Sequence, residues 1–126
     1  AVDHARLLTG LLSSEGDVAA PTVPADRTHV FYQYCLRVAD RDRLVRSCIR
    51  RGLDIETLHV DVCARLPLFG ESRADCPEAD LAAQAVQLPV YSSLTEDQVR
   101  WVAHTVRKAL FRGAAGPAMF APSAQR

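Results

Sequence analysis

HVFYQYCLRVADRDRLVRSCIRRGLDIETLHVDVC, residues 29–63, decides the fold. It predicts a strand, a helix and a second strand in close succession. From His29 to Val38 the residues alternate, with Val30, Tyr32, Tyr34, Leu36 and Val38 on one face and His29, Phe31, Gln33, Cys35 and Arg37 on the other. Period two across aromatic and β-branched residues is the pattern of a strand. Asp40 is placed to N-cap a helix by accepting from the amide of Asp42 or Arg43. Leu44, Val45, Cys48 and Ile49 form one apolar stripe at helical spacing. Arg50 and Arg51 suit the negative end of that helix, and Gly52 is the expected left-handed residue just past it. Ile55 to Cys63 then alternates again.

Outward from this unit the signals are local. Val2, Ala5, Leu8, Leu11 and Leu12 recur at helical spacing, so residues 1–12 read as the end of a helix that links to something upstream. Residues 13–28, SSEGDVAAPTVPADRT, read as a loop. After Cys63, ARLPLFGESRADCPEAD reads as a second loop, with Pro77 fitting the first turn of a short helix. Leu81, Ala82, Ala85 and Val86 form the apolar side of that helix, which Pro89 stops near Gln87. Residues 87–91, QLPVY, read as a short edge strand, where a proline is tolerated. Thr95 with Gln98 is a capping box, and Leu94 with Val99 is a hydrophobic staple. Val99, Val102, Ala103, Val106 and Leu110 form the buried stripe of the last helix, Gly113 ends it, and residues 113–126 read as a flexible tail.

The expected fold is therefore α/β (α+β), with helices packed mainly on one face of a small sheet. About three strands (29–38, 54–62 and near 87–91) join helices starting near 41, 78 and 96. The face carrying Val30, Tyr32, Leu36 and Val38 is expected to meet Leu44 and Ile49 of one helix and Val102 and Val106 of the other.

A chain of 126 residues bounds this to one domain. Its 15 basic and 15 acidic residues cancel, so no global field draws it to nucleic acid or an anionic membrane. No apolar run approaches the ~20 residues of a membrane span, and no stretch reads as a signal peptide; the expected location is the cytoplasm. The cysteines, at 35, 48, 63 and 76, include no CxxC pair. All four are expected free, with Cys35 and Cys48 protected by burial and Cys63 the most reactive.

For chemistry, His59, Asp61 and Cys63 alternate along the second strand and fall on one face. Same-face neighbours on a strand are about 6.5–7 Å apart at Cα, too far for direct contact between a nucleophile and its base. A zinc site would find only one His and one Cys here, with no second ligand pair at a familiar spacing. The trio reads as a polar sheet face open to solvent or a partner, with no catalytic, cofactor-binding or metal-ligating residue assigned. His29 and His104 read as surface histidines. No GxGxxG, GxxxxGK[ST] or GxSxG is present.

The order of the motifs carries a resemblance. HVFYQYCLRV, then RDRLVRSCIRRGLDIETLHV, LPLF and CPEADLAAQAVQLPVYSSLTEDQVRWVAHTV together resemble the C-terminal small domain of the DegT/DnrJ/StrS sugar aminotransferases. The matching positions are His29, Arg41-Asp42, Gly52, Thr57 with His59, Pro77, Leu88-Pro89-Val90-Tyr91 and Leu94-Thr95-Glu96-Asp97-Gln98, across residues 1–112. One departure is His59-Val60-Asp61-Val62-Cys63, where the family commonly has His-Tyr-Pro followed by Pro-Leu-His.

The resemblance implies the small domain of fold type I aminotransferases and a pyridoxal-phosphate-dependent parent enzyme. It also implies an N-terminal cofactor-binding domain as partner, a homodimer, and a place for His59, Asp61 and Cys63 at the substrate rim. The Schiff-base lysine would belong to that N-terminal domain. The only lysine here is Lys108, off the buried stripe of the last helix, where it is expected to be solvated. Alone, the chain is expected to bind no cofactor and to be inactive. The alternative reading is a stand-alone, non-catalytic domain that binds a partner or ligand. The absent initiator Met and the abrupt helical start favour a piece of a longer enzyme.

Overall fold

A computed structural model describes residues 1–16, 18–58, 61–69 and 75–111. In chain order the elements are α1 (Val2–Leu12), β1 (Val18–Ala19), β2 (Tyr34–Val38), α2 (Arg41–Ile49) and β3 (Glu56–Thr57). Two short 3-10 turns follow, Cys63–Arg65 and Pro67–Phe69, then α3 (Pro77–Ala82), β4 (Ala85–Leu88) and α4 (Glu96–Leu110). The sheet is antiparallel throughout, in the order β1-β2-β4-β3. No helix among the described residues is long and apolar enough to cross a membrane.

The helix ends follow their local chemistry. Asp40 accepts from the Arg43 amide at 3.2 Å and caps α2. Beyond α2, Gly52 takes φ 81°. Its amide donates to the Ile49 carbonyl at 2.9 Å, and that of Leu53 to Cys48 at 3.0 Å, a Schellman closure that returns Leu53 to the core. At α4, Thr95 Oγ1 accepts from the Gln98 amide at 3.2 Å and Gln98 Oε1 accepts from the Thr95 amide at 2.8 Å. Leu94 packs against the core beside the fully buried Val99. Pro77 stands in the first turn of α3. Residues 113–126, including Gly113, lie outside the described residues.

One core joins the helices to one sheet face. Tyr34, Leu36 and Val38 of β2 and Val86 and Leu88 of β4 pack with Ala5, Leu8 and Leu12 of α1, Leu44 and Cys48 of α2, and Val99, Val102 and Val106 of α4. The register sets Tyr34 opposite Leu88 and Leu36 opposite Val86. Polar ties hold α1 down. Thr9 Oγ1 and Tyr34 Oη are 2.9 Å apart, His4 Nδ1 donates to the Tyr91 carbonyl at 3.1 Å, and Glu15 pairs with Arg107 at 2.7 Å.

The strands depart from the sequence pattern. The sheet has four strands rather than about three: Val18–Ala19, inside the predicted loop, pairs with Val38 and Arg37. Only Tyr34–Val38 of the predicted 29–38 strand is in the sheet. Phe31 has φ 49°, its amide donating to His29 Nδ1 at 2.8 Å, and this turn breaks the alternation. Phe31 is therefore buried, while Val30 and Tyr32, expected in the core, are 76% and 88% exposed.

The predicted 54–62 strand contracts to Glu56–Thr57, which pair with Gln87 and Val86 of a four-residue β4. Leu53 and Ile55 are nevertheless buried. Strand β4 lies inside the sheet rather than at its edge, and Pro89 falls just beyond its last residue, so no ladder hydrogen bond is lost.

Two expected helical positions move as well. Helix α3 ends at Ala82, so Ala85 and Val86 are core residues of β4, and Leu81 and Ala82 are exposed. Ile49 is 57% exposed, because α2 faces the core with Leu44, Ser47 and Cys48 instead. Ser47 is bound by Arg51, whose guanidinium donates to its hydroxyl and to its carbonyl.

Candidate functional site

The predicted rim residues lie past the end of β3. His59 is outside the described residues. Asp61 and Cys63 are exposed, and Cys63 opens a 3-10 turn rather than continuing a strand, so period-two facing does not extend to it. The same stretch presents Leu68, 84% exposed, and Phe69, 51% exposed. Arg65 anchors it to α3, donating to both carboxylate oxygens of Asp80 at 2.8 and 2.5 Å. That guanidinium holds the Asp80 carboxyl below the usual carboxylate range.

The sheet face turned away from the core carries Cys35 opposite Gln87, with Glu56 on the far side of Gln87. The Gln87 side-chain amide donates to the Thr57 carbonyl at 3.2 Å. At one end of this face is a cleft of about 240 Å³ whose lining includes Tyr32, Asp54, Glu56, Gln87 and Tyr91. A second cleft of about 620 Å³ opens between α1 and the 21–31 segment. Arg6 and Arg27 supply its cationic groups, His29 an imidazole whose Nδ1 accepts from the Phe31 amide, and Val23, Val30 and Phe31 much of its apolar wall. The sequence pattern left these residues as one helix surface, one loop and one surface histidine. A signal was available in Arg27 and His29 beside Val30 and Phe31, but Arg6 joins them only through the fold. Among the described residues no group of three or more His, Cys, Asp or Glu side chains could hold a metal ion.

All four cysteines are free. Burial pushes the Cys48 thiol up to about 11 against the opposing charge of Arg51, and burial also raises Cys35, which is half-buried rather than enclosed. Because the thiolate is the reacting form, Cys48 should be the slowest to react and exposed Cys63 the fastest. Thiol titration should release all four only on denaturation, without reductant. Fewer than four would reveal a disulfide.

The sequence pattern of the DegT/DnrJ/EryC1/StrS aminotransferase family matches residues 2–107. A pleiotropic regulatory protein of Geobacillus stearothermophilus is 32% identical over 109 residues, covering 82% of this chain and 29% of that protein. A UDP-N-acetyl-3-dehydro-alpha-D-glucosamine 3-aminotransferase of Acidithiobacillus ferrooxidans is 27% identical over 109 residues, 85% of this chain and 28% of that protein. The crystal structure of the aminotransferase TlmJ of Streptoalloteichus hindustanus superposes with a TM-score of 0.72 at 26% identity, over 86% of this chain and 30% of that one. The chain thus spans under a third of the length of each of these proteins. With α1 through most of α4 inside the matched region, the chain belongs to the DegT/DnrJ/EryC1/StrS aminotransferase family.

Proposed function

We propose that residues 1–112 are the C-terminal small domain of a cytoplasmic, pyridoxal-phosphate-dependent nucleotide-sugar aminotransferase, in which they shape the substrate side of the active site. The observation that carries this reading is the family match across 2–107, set beside a coverage of only 28–30% of the aminotransferases it resembles. On this reading α1 is the end of a helix linking to an N-terminal cofactor-binding domain, the parent enzyme is a homodimer, and His59, Asp61 and Cys63 stand at the substrate rim.

The residues present do not fit the cofactor. A Schiff-base lysine must be desolvated and the cofactor's phosphate must be held beside it. The chain's one lysine, Lys108, is exposed on α4 and lines neither cleft described above. We therefore assign the cofactor to the proposed N-terminal domain and no cofactor-binding residue to this chain. The name of the Geobacillus relative, a regulatory protein, favours a second reading as a non-catalytic binding domain of the same fold.

Titrating the chain with pyridoxal phosphate, beside Lys108→Ala, tests the first reading. Weak absorbance change, equal in both apart from non-specific reaction at a surface amine, is the expected result. A tight, saturable band lost in Lys108→Ala would make Lys108 catalytic and overturn it. A longer parent chain that binds the cofactor tightly through its own lysine would separate the enzyme reading from the non-catalytic one.

A further inference from the structure

We propose that the cleft between α1 and the 21–31 segment is a binding site for a small organic anion, a phosphate or carboxylate carried on a flat apolar body. The cleft, at about 620 Å³, is within the range of small-molecule sites. Its charge has one sign. Arg6 reaches it from α1 and Arg27 from the opposite wall, and no acidic residue lines it. A guanidinium offers five N–H donors in a planar fork that matches the oxygens of a phosphate or carboxylate.

Both arginines are positioned and still available. Arg27 is held by Asp26, with two contacts of 3.1 Å, and Arg6 by Asp3 at 3.4 Å. These are exposed pairs, with the Asp3 side chain 93% exposed and that of Asp26 70%. Exposed pairs contribute little, so a guanidinium can share its remaining donors, or exchange partners, at small cost.

Part of the apolar wall is set by the backbone conformation at Phe31. Phe31 is a bulky residue at φ 49°, a conformation that costs energy and is concentrated at binding sites. His29 holds it there through its Nδ1, with the two rings 4.4 Å apart between centroids. The result is that Val30, a β-branched residue, is left 76% exposed on the cleft wall beside Val23. Thr9, joined to the buried Tyr34 hydroxyl, fixes the α1 side. A flat ring can lie against Val23, Val30 and Phe31 while its anionic group meets the arginines.

The proposal is independent of the aminotransferase reading, and its failure leaves that reading intact. The test is a heteronuclear NMR titration of the chain with phenyl phosphate, benzoate and inorganic phosphate, repeated on Arg6→Gln, Arg27→Gln and, as a control on α4, Arg100→Gln. Melting curves check that each variant is folded. Saturable shifts at the amides of Thr28 to Phe31 are expected with either aromatic anion, at a Kd on the order of 1 mM. Inorganic phosphate should bind more weakly, and each cleft variant should bind the preferred aromatic anion about tenfold more weakly, with Arg100→Gln unchanged. Benzoate binding better than phenyl phosphate would identify a carboxylate ligand, and the reverse order a phosphate. Absence of saturable shifts, equal weakening in Arg100→Gln, or inorganic phosphate binding as well as phenyl phosphate would overturn the proposal.

Discussion

Replacing Val102 with Asp should unfold the domain or bring it close to unfolding. Val102 is 2% exposed, between Val99 and Val106 on the face of α4 that meets the sheet and α1. A carboxylate there has no water and no cation to meet it, because the surrounding cluster is Leu8, Leu36, Val86 and similar side chains. The cost is several kcal/mol, about 4 or more, unless the group takes up a proton and stays neutral. A domain of this size has only about 5–15 kcal/mol in total. Thermal melting should therefore fall by at least about 10 °C. A midpoint within a degree of the parent would mean that the packing of α4 is wrong.

Leu8→Ala carries the second largest expected effect, and it asks whether α1 is part of the domain or merely leads into it. Leu8 is fully buried against α4, with Ala5 and Leu12 on the same stripe. Removing its isobutyl group costs its transfer energy and leaves a cavity, about 2–5 kcal/mol together. The control lies two residues on. Gly10 is exposed, and a Cβ added there meets nothing within 4 Å, so Gly10→Ala should be neutral or stabilise the helix by up to about 1 kcal/mol. Denaturant midpoints of the two variants separate the cases. If Leu8→Ala matches the parent, α1 is an appendage and the ties from Thr9, His4 and Glu15 do not hold it.

These two substitutions also divide what could be read in advance from what could not. The stripe of α4 and the spacing of Ala5, Leu8 and Leu12 were legible because a helix makes its own hydrogen bonds, and burial then needs only one apolar side. The same holds for the ends. Asp40, Gly52, Pro77 and the Thr95–Gln98 box act on amides and carbonyls within a few residues, so their effect is written locally.

A strand has no such autonomy. The alternation past Thr57 predicts a longer β3, yet its partner β4 supplies only Ala85–Leu88, and the chain turns into 3-10 geometry instead. Val18–Ala19 pairs with β2 although two residues carry no periodic signal. The site divides in the same way. His59, Asp61 and Cys63 could be named from their alternation, but His59 lies outside the described residues and Cys63 opens a 3-10 turn. The cleft formed by Arg6, Arg27 and His29 could not be named, because it exists only when α1 lies beside the segment entering β2.

By itself, then, the sequence determined where the helices start, their caps, the apolar stripes of α1 and α4 and a motif order that resembles its family, since each depends on contacts between near neighbours. Only the tertiary structure decided how long each strand is, that Phe31 is buried while Val30 and Tyr32 are not, and which charged side chains share a cleft. Those outcomes depend on hydrogen-bond partners and packing surfaces contributed by residues distant along the chain, and no local pattern records where such partners stop.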